Sequence, residues 1–109
     1  MTKIFAHRGA SAYAPENTME AFHLAAKQGA DGIELDVHVT KDGEVVVTHD
    51  EKIDRVSNGS GFVKDMTLRE LKRLSFHNHM ESYVGAGIPT LREVLEFVKT
   101  TTMAVNIEL

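Results

Sequence analysis

The sequence lacks cysteine, long apolar runs and clusters of lysine or arginine. Without cysteine there are no disulfides and no thiolate metal ligands. The cytoplasm is then the default compartment, although the lack of cysteine permits any other. Apolar runs of only a few residues predict no stable insertion into a membrane. A net charge of −4, from 16 acidic and 12 basic residues, argues against nucleic acid as a partner.

The composition is that of an ordinary globular domain, or part of one, with 42% hydrophobic and 26% charged residues in 109. No Walker loop and no G-x-G-x-x-G motif is present, so nothing indicates nucleotide binding. Short apolar segments bounded by turn residues predict four strands. These strands cover residues 2–7, 31–38, 44–49 and 104–109.

Three helices are predicted between these strands. The first begins near residues 15–17, with Asn17 as its N-cap, and ends before Gly29, which suits the position after a helix C-terminus. The other two begin at capping-box spacings, in which a threonine precedes a glutamate by three residues. These pairs are Thr67 with Glu70 and Thr90 with Glu93.

Polar residues stand at or near the carboxyl end of every predicted strand. They are His7, Glu34 with Asp36, His49 and Glu108. Strands alternating with helices favour an α/β fold with a largely parallel sheet, and in a TIM (β/α)8 barrel the chemistry lies at the carboxyl ends of the strands. We therefore predict the N-terminal part of such a barrel. A whole barrel needs about 250 residues, so this chain holds roughly half.

Three acidic residues are candidate metal ligands. Glu34 and Asp36 lie two apart on one strand, and therefore on one face, and Glu108 comes from a strand distant in sequence. An oxygen-only ligand set favours a hard divalent cation, Mg2+ or Ca2+. The alternative is that Glu34 and Asp36 are solvent-facing acids on a half-exposed sheet.

Two histidines and one arginine are candidates for phosphoryl chemistry. His7 and His49 could divide the proton transfers, one accepting a proton from the attacking hydroxyl and the other donating one to the departing alkoxide. Each could instead be a hydrogen-bonded structural histidine. Arg8 could bind two oxygens of a phosphodiester, or form a surface ion pair with Glu16.

Several motifs together resemble the glycerophosphodiester phosphodiesterase family. The resemblance runs over nearly the whole chain, through HRG, APENT, ELDV, TKDG, HD and a final NIEL, in that order. It implies a TIM barrel that hydrolyses glycerophosphodiesters to an alcohol and glycerol 3-phosphate, a reaction of glycerol and lipid metabolism. It also implies one divalent cation held by Glu34, Asp36 and Glu108, with His7 and His49 as the acid/base pair. Residues 50–89 match a small insertion that walls the substrate pocket.

Two classes of function remain open. The first is a metal-dependent phosphodiesterase acting on a small water-soluble diester, with a related lipid-cleaving enzyme as its nearest neighbour. We expect His7 as base and His49 as acid, although these roles could be exchanged. The second is a non-enzymatic metal- and phosphate-binding fragment or assembly subunit. Because half a barrel leaves a sheet edge unpaired, we expect self-association or a complementary chain.

Overall fold

The computed structural model describes residues 3–109, which contain four strands and three helices. The strands are β1 (Phe5–His7), β2 (Gly32–Val39), β3 (Val45–Val47) and β4 (Ala104–Glu108). The helices are α1 (Met19–Lys27), α2 (Leu68–Lys72) and α3 (Leu91–Val98), with 3-10 turns at Val63–Asp65 and Glu81–Tyr83. All predicted elements are found with shifted ends, and Thr2 of the predicted first strand lies outside the described residues.

Strand β2 is the centre of the sheet. It pairs in parallel with β1, which places His7 opposite Glu34. It also pairs in parallel with β4, which places Asp36 opposite Glu108. The carboxyl ends of β1, β2 and β4 therefore meet at one edge of the sheet, as the sequence predicted.

Strand β3 corrects one expectation, because it is not a further parallel strand. It pairs with the end of β2 in antiparallel fashion, with Val37 opposite Val47. The turn between the two strands sends the chain back, and the backbone N–H of Thr48 donates to the carbonyl of Asp36 at 2.9 Å. His49 therefore returns to the level of Asp36 through a hairpin rather than at the end of a parallel strand.

Apolar and acidic side chains alternate along strand β2 because its two faces have different surroundings. One face is buried and carries Ile33, Leu35 and Val37, which pack in one cluster with Phe22 and Ala25 of α1. Successive side chains of a strand point to opposite faces. Glu34 and Asp36 therefore lie on the face turned away from α1.

Residues 50–89 build a second hydrophobic cluster around short elements. Its buried members are Val46, Ile53, Val56, Val63, Leu71, Phe76 and Ile88. Val47, the neighbour of Val46 on β3, belongs to the first cluster. The segment also returns to β3 where it ends, since Val47 N–H donates to the carbonyl of Pro89 at 2.9 Å.

The helix caps confirm two predictions and correct a third. Both capping boxes are formed, at Thr67 for α2 and at Thr90 for α3. The cap of α1 is Thr18 rather than Asn17, because the Thr18 hydroxyl accepts the Ala21 N–H at 3.2 Å. Asn17 has a positive φ of 56°, and its side chain is used elsewhere.

The lengths of the helices bear on membrane insertion. Over residues 3–109, no helix combines the length and the apolar character needed to cross a bilayer.

Candidate active site

The turn after β1 fixes the first part of the site. Arg8 N–H donates to the carbonyl of Glu34 at 2.7 Å, which joins the turn to β2. Gly9 has φ 80°, and a Cβ there would lie 2.7 Å from the Cβ of Ala21. Glycine is therefore required both by the backbone conformation and by the close approach of α1. His7, exposed at the end of β1, stands beside this turn.

The side chains of Arg8 and Asn17 both contact the same carboxylate oxygen of Asp36, Oδ2. Arg8 Nε lies 3.3 Å from Asp36 Oδ2, and Asn17 Nδ2 donates to that oxygen at 3.1 Å. Arg8 and Asn17 both have φ near +56°, and Asn17 N–H donates to the Arg8 carbonyl at 2.9 Å. This is why Asn17 does not cap α1. The positive charge next to the buried Asp36 carboxylate is therefore supplied by Arg8.

His49 is oriented through both its ring and its backbone. Its Nδ1 lies 2.8 Å from Asp50 Oδ1, and its carbonyl accepts a hydrogen bond from His38 Nε2 at 2.8 Å. The Arg55 hydrogen bond lowers the pKa of Asp50 to about 2, with His49 adding to the effect against the opposing influence of burial. Asp50 is therefore a carboxylate at neutral pH and can only accept, so His49 Nδ1 donates. Nε2 is then the ring nitrogen left for a substrate, as an acceptor when the ring is neutral and as a donor when it is protonated.

Glu16 links Arg8 to Arg55. It accepts from Arg8 Nη1 at 3.2 Å, so the ion pair considered as the alternative role of Arg8 is formed. It also binds Arg55 in bidentate fashion, at 2.8 and 3.0 Å. Burial raises the pKa of Glu16, but the hydrogen bond and charge of Arg55 and the charge of Arg8 outweigh it and leave the pKa below its ordinary value.

Sequence reasoning missed Arg55 and Asp50. Arg55 follows Asp50 by five residues in an irregular segment, where no helical or strand spacing indicates that the two side chains meet. The HD pair at residues 49 and 50 was the available signal for Asp50, because a carboxylate adjacent to a histidine is a common orienting partner.

The three acids fit a divalent cation in chemistry and in strand position. Glu34 and Asp36 share a face of β2, and Glu108 lies opposite Asp36 in the parallel register, so all three stand on one side of the sheet. All supply oxygen, which Mg2+ and Ca2+ prefer. Within the part of the chain that is described, no three acidic or histidine side chains are grouped closely enough to hold a metal. Their role as ligands stays a prediction.

Imidazole, carboxylate and guanidinium groups at the carboxyl edge of parallel strands are the arrangement expected of an α/β enzyme, and (β/α)8 barrels are one such class. Residues 7–109 match the model of the glycerophosphoryl diester phosphodiesterase family. The chain belongs to this family.

Individual relatives agree with this assignment. The chain is 53% identical over 109 residues to a glycerophosphodiester phosphodiesterase of Caldanaerobacter subterraneus, a match that covers 99% of this chain and 45% of the relative. It is 54% identical over 111 residues to one of Bacillus altitudinis, covering 100% and 45%. The chain thus spans slightly less than half the length of these two relatives.

Solved structures confirm the fold. A glycerophosphodiester phosphodiesterase from Agrobacterium tumefaciens superposes with a TM-score of 0.95 at 45% identity, over 100% of this chain and 47% of that one. An Oleispira antarctica phosphodiesterase in complex with the product sn-glycerol-3-phosphate also superposes with a TM-score of 0.95, at 38% identity, over 100% and 44%. The chain therefore has the fold of the N-terminal part of a TIM barrel.

Proposed function

We propose that the protein carrying this chain hydrolyses glycerophosphodiesters to an alcohol and glycerol 3-phosphate. Membership of the family supports the reaction class, and the glycerol 3-phosphate bound to the Oleispira antarctica relative supports the product. The single observation that carries the proposal is the position of His49, whose ring is held by Asp50 at the same sheet edge as Arg8 and Asp36.

His7 and His49 would carry the two proton transfers. Water attacks phosphorus and gives its proton to the His7 ring; if a glycerol hydroxyl attacks first, it forms a cyclic phosphate, which water opens to glycerol 3-phosphate in a second step. The bond from phosphorus to the leaving oxygen breaks, and His49 Nε2 protonates the departing alkoxide. The Asp50 carboxylate beside Nδ1 compensates the charge of a protonated His49, which favours His49 as the acid over the exchanged assignment.

Arg8 and a divalent cation would hold the phosphate. The contacts with Glu16 and Asp36 use Arg8 Nη1 and Nε, which holds the guanidinium at the edge of the sheet with Nη2 for a phosphate oxygen. Glu34, Asp36 and Glu108 would hold one Mg2+ or Ca2+. When bound, such a cation neutralises negative charge on the phosphodiester oxygens. Residues 50–89, with their own cluster, would form the insertion that walls the pocket.

The test is replacement of each histidine in the protein that carries this chain. We expect His7→Ala and His49→Ala each to lower kcat for glycerophosphocholine by at least about 100-fold, because each removes a proton-transfer group. His23→Ala is the matched control, since His23 is exposed on α1 and stacks on Phe97. Unchanged turnover in either active-site variant would overturn the assignment of that histidine.

A second candidate function is a metal- and phosphate-binding fragment that acts with other polypeptide. It is favoured by strand β4, whose Ile107 is 40% exposed. Further chain, a second copy or a complementary chain would pair with β4. Calorimetry of the 109 residues with Ca2+ or Mg2+, together with a diesterase assay and light scattering, separates the two. Cation binding and association without turnover supports the fragment, and turnover by these residues excludes it.

A further inference from the structure

We propose that Arg55 is a positioning residue for the reaction, holding Glu16 and Asp50 together and thereby fixing both Arg8 and His49. This inference rests on the proposed function for its kinetic consequences. Its structural consequences follow from the contacts alone. Arg55 belongs to the 50–89 segment, so the inference gives that segment a part in orienting the groups at the sheet edge.

The guanidinium of Arg55 is divided between two carboxylates. Nη1 and Nη2 donate to the two oxygens of Glu16 at 2.8 and 3.0 Å. Nε donates to Asp50 Oδ2 at 2.9 Å, and Nη2 also donates to Asp50 Oδ1 at 3.2 Å. Both carboxylates are thus bound through both of their oxygens. Paired contacts of this kind fix orientation as well as distance.

Each of these two carboxylates also contacts, and so helps to position, a group of the proposed site. Glu16 Oε2, held by Arg55, accepts from Arg8 Nη1 at 3.2 Å. Asp50 Oδ1, also held by Arg55, lies 2.8 Å from His49 Nδ1. Arg55 is therefore one contact away from the proposed phosphate-binding group and one contact away from the proposed acid.

The burial of Glu16 distinguishes its pairing with Arg55 from an ordinary surface ion pair. The Arg55 side chain is 46% exposed, but that of Glu16 is only 9% exposed. Exposed pairs fix little, because solvent screens them. Here the carboxylate that faces Arg8 is largely removed from water, so loss of Arg55 would leave Glu16 with Arg8 as its remaining cation.

Lysine cannot replace Arg55 in this role. An ammonium group is a compact charge without the planar fork, and it cannot bind two carboxylates in bidentate fashion at once. Arg55→Lys therefore keeps the charge and removes the geometry. It separates positioning from simple electrostatic attraction.

Lys72 provides a matched control. Like Arg55, it is a cation of the 50–89 segment that binds a carboxylate outside it, since Lys72 Nζ donates to Glu93 at 2.6 Å and to the Ile88 carbonyl at 2.7 Å. Its partners lie on α3 and before it, and none belongs to the proposed site. Lys72→Gln thus reports what loosening the segment does by itself.

The experiment compares Arg55→Lys, Arg55→Gln and Lys72→Gln in the protein that carries this chain, with glycerophosphocholine as substrate. We expect both Arg55 variants to lower kcat by about 10- to 100-fold, because a misplaced group of this kind loses that much, and to raise KM as well, because Arg8, the proposed phosphate-binding group, loses its support. Lys72→Gln should keep kcat within about twofold at matched thermal stability. An unchanged kcat in Arg55→Lys, or an equal loss in Lys72→Gln, would overturn the proposal.

A second readout does not depend on activity. NMR of the His49 ring should show a slowly exchanging Nδ1–H in the unaltered protein and in Lys72→Gln, and faster exchange in Arg55→Lys, because Asp50 loses the contacts that hold it. Equal exchange in all three would contradict the inference. If the unaltered protein shows this signal but no diesterase activity, the proposed function fails while the positioning role stands.

Discussion

The sheet region and the 50–89 segment are built in different ways. In the sheet region, long regular elements supply the cluster, with β2 and α1 contributing five of its buried side chains. In the 50–89 segment, a five-residue helix and single turns support a cluster of similar character. The first core follows from sequence periodicity, whereas the second depends on where irregular turns bring apolar residues together. Strand β3 and the Arg55 bridge connect the two regions at the candidate site.

The largest effects are expected when one fully buried side chain is truncated in each hydrophobic cluster in turn. Phe22→Ala and Leu71→Ala each remove a fully buried side chain, and we expect losses of about 3–5 and 2–5 kcal/mol respectively. If the segment is a separate cooperative unit, Leu71→Ala should speed hydrogen exchange in residues 50–89 while β1 and β2 keep their protection. Phe22→Ala should speed exchange in both. Equal acceleration of both regions by Leu71→Ala would show that the two cores unfold as one.

Glycine positions offer a smaller test of how rigid each region is. A Cβ on Gly9 would meet the backbone of Ala21 at 2.8 Å, at a φ of 80°. A Cβ on Gly59 would meet no backbone but two side-chain ends, that of Leu74 at 2.6 Å and that of Ile53 at 3.2 Å, which can shift. We expect Gly9→Ala to cost about 2–3 kcal/mol and Gly59→Ala about 1 kcal/mol or less. Urea unfolding measures both, and a larger loss for Gly59→Ala would reverse the ranking of the two regions.

Acid should weaken the bridge between the regions. The pKa of Asp50 is lowered from 3.8 to about 2 in the folded protein, and that of Glu16 is also lowered. A lowered folded-state pKa gives stability that is present above the unfolded value and is lost as pH falls through the folded one. We expect the bridge to contribute about 1 kcal/mol near neutral pH and to lose it between about pH 4 and pH 2.

The matched variant for this titration is Arg55→Gln. Its free energy of unfolding should fall less steeply over the same pH range, because the cation that lowers both pKa values is gone. Parallel curves for the two proteins would mean that the Arg55 contacts do not contribute to stability.

Much of the fold could be predicted because local rules determine it. The capping boxes at Thr67 and Thr90 need only residues three apart, and both are formed. The alternation of β2 likewise predicts its two faces. The family was also evident from its motifs, because several short signatures occur in a fixed order along the chain.

The rest of the candidate site depends on contacts between distant residues. Asn17 has the right type and place for a helix cap, but Asp36, nineteen positions later, takes its side chain, and Thr18 caps instead. The direction of β3, by contrast, was available from the sequence, because residues 40–44 are too few for the crossover that parallel strands need and Asp42-Gly43 is typical of a hairpin turn. Arg55 and Glu16 are 39 positions apart, and nothing in either local sequence indicates that they meet.

Strand β3 has a consequence for how this segment can change. Its three valines alternate between two interiors, with Val46 facing one and Val47 the other. Deleting or adding a single residue there would turn each valine toward the wrong interior and would move His49 away from Asp36 in the same step. The three valines should therefore accept changes of side chain but not of number. The exposed turn at residues 41–43 is also constrained in length, because Lys41 N–H donates to the Met66 carbonyl at 2.9 Å and Asp42 accepts the Leu68 N–H at 3.1 Å.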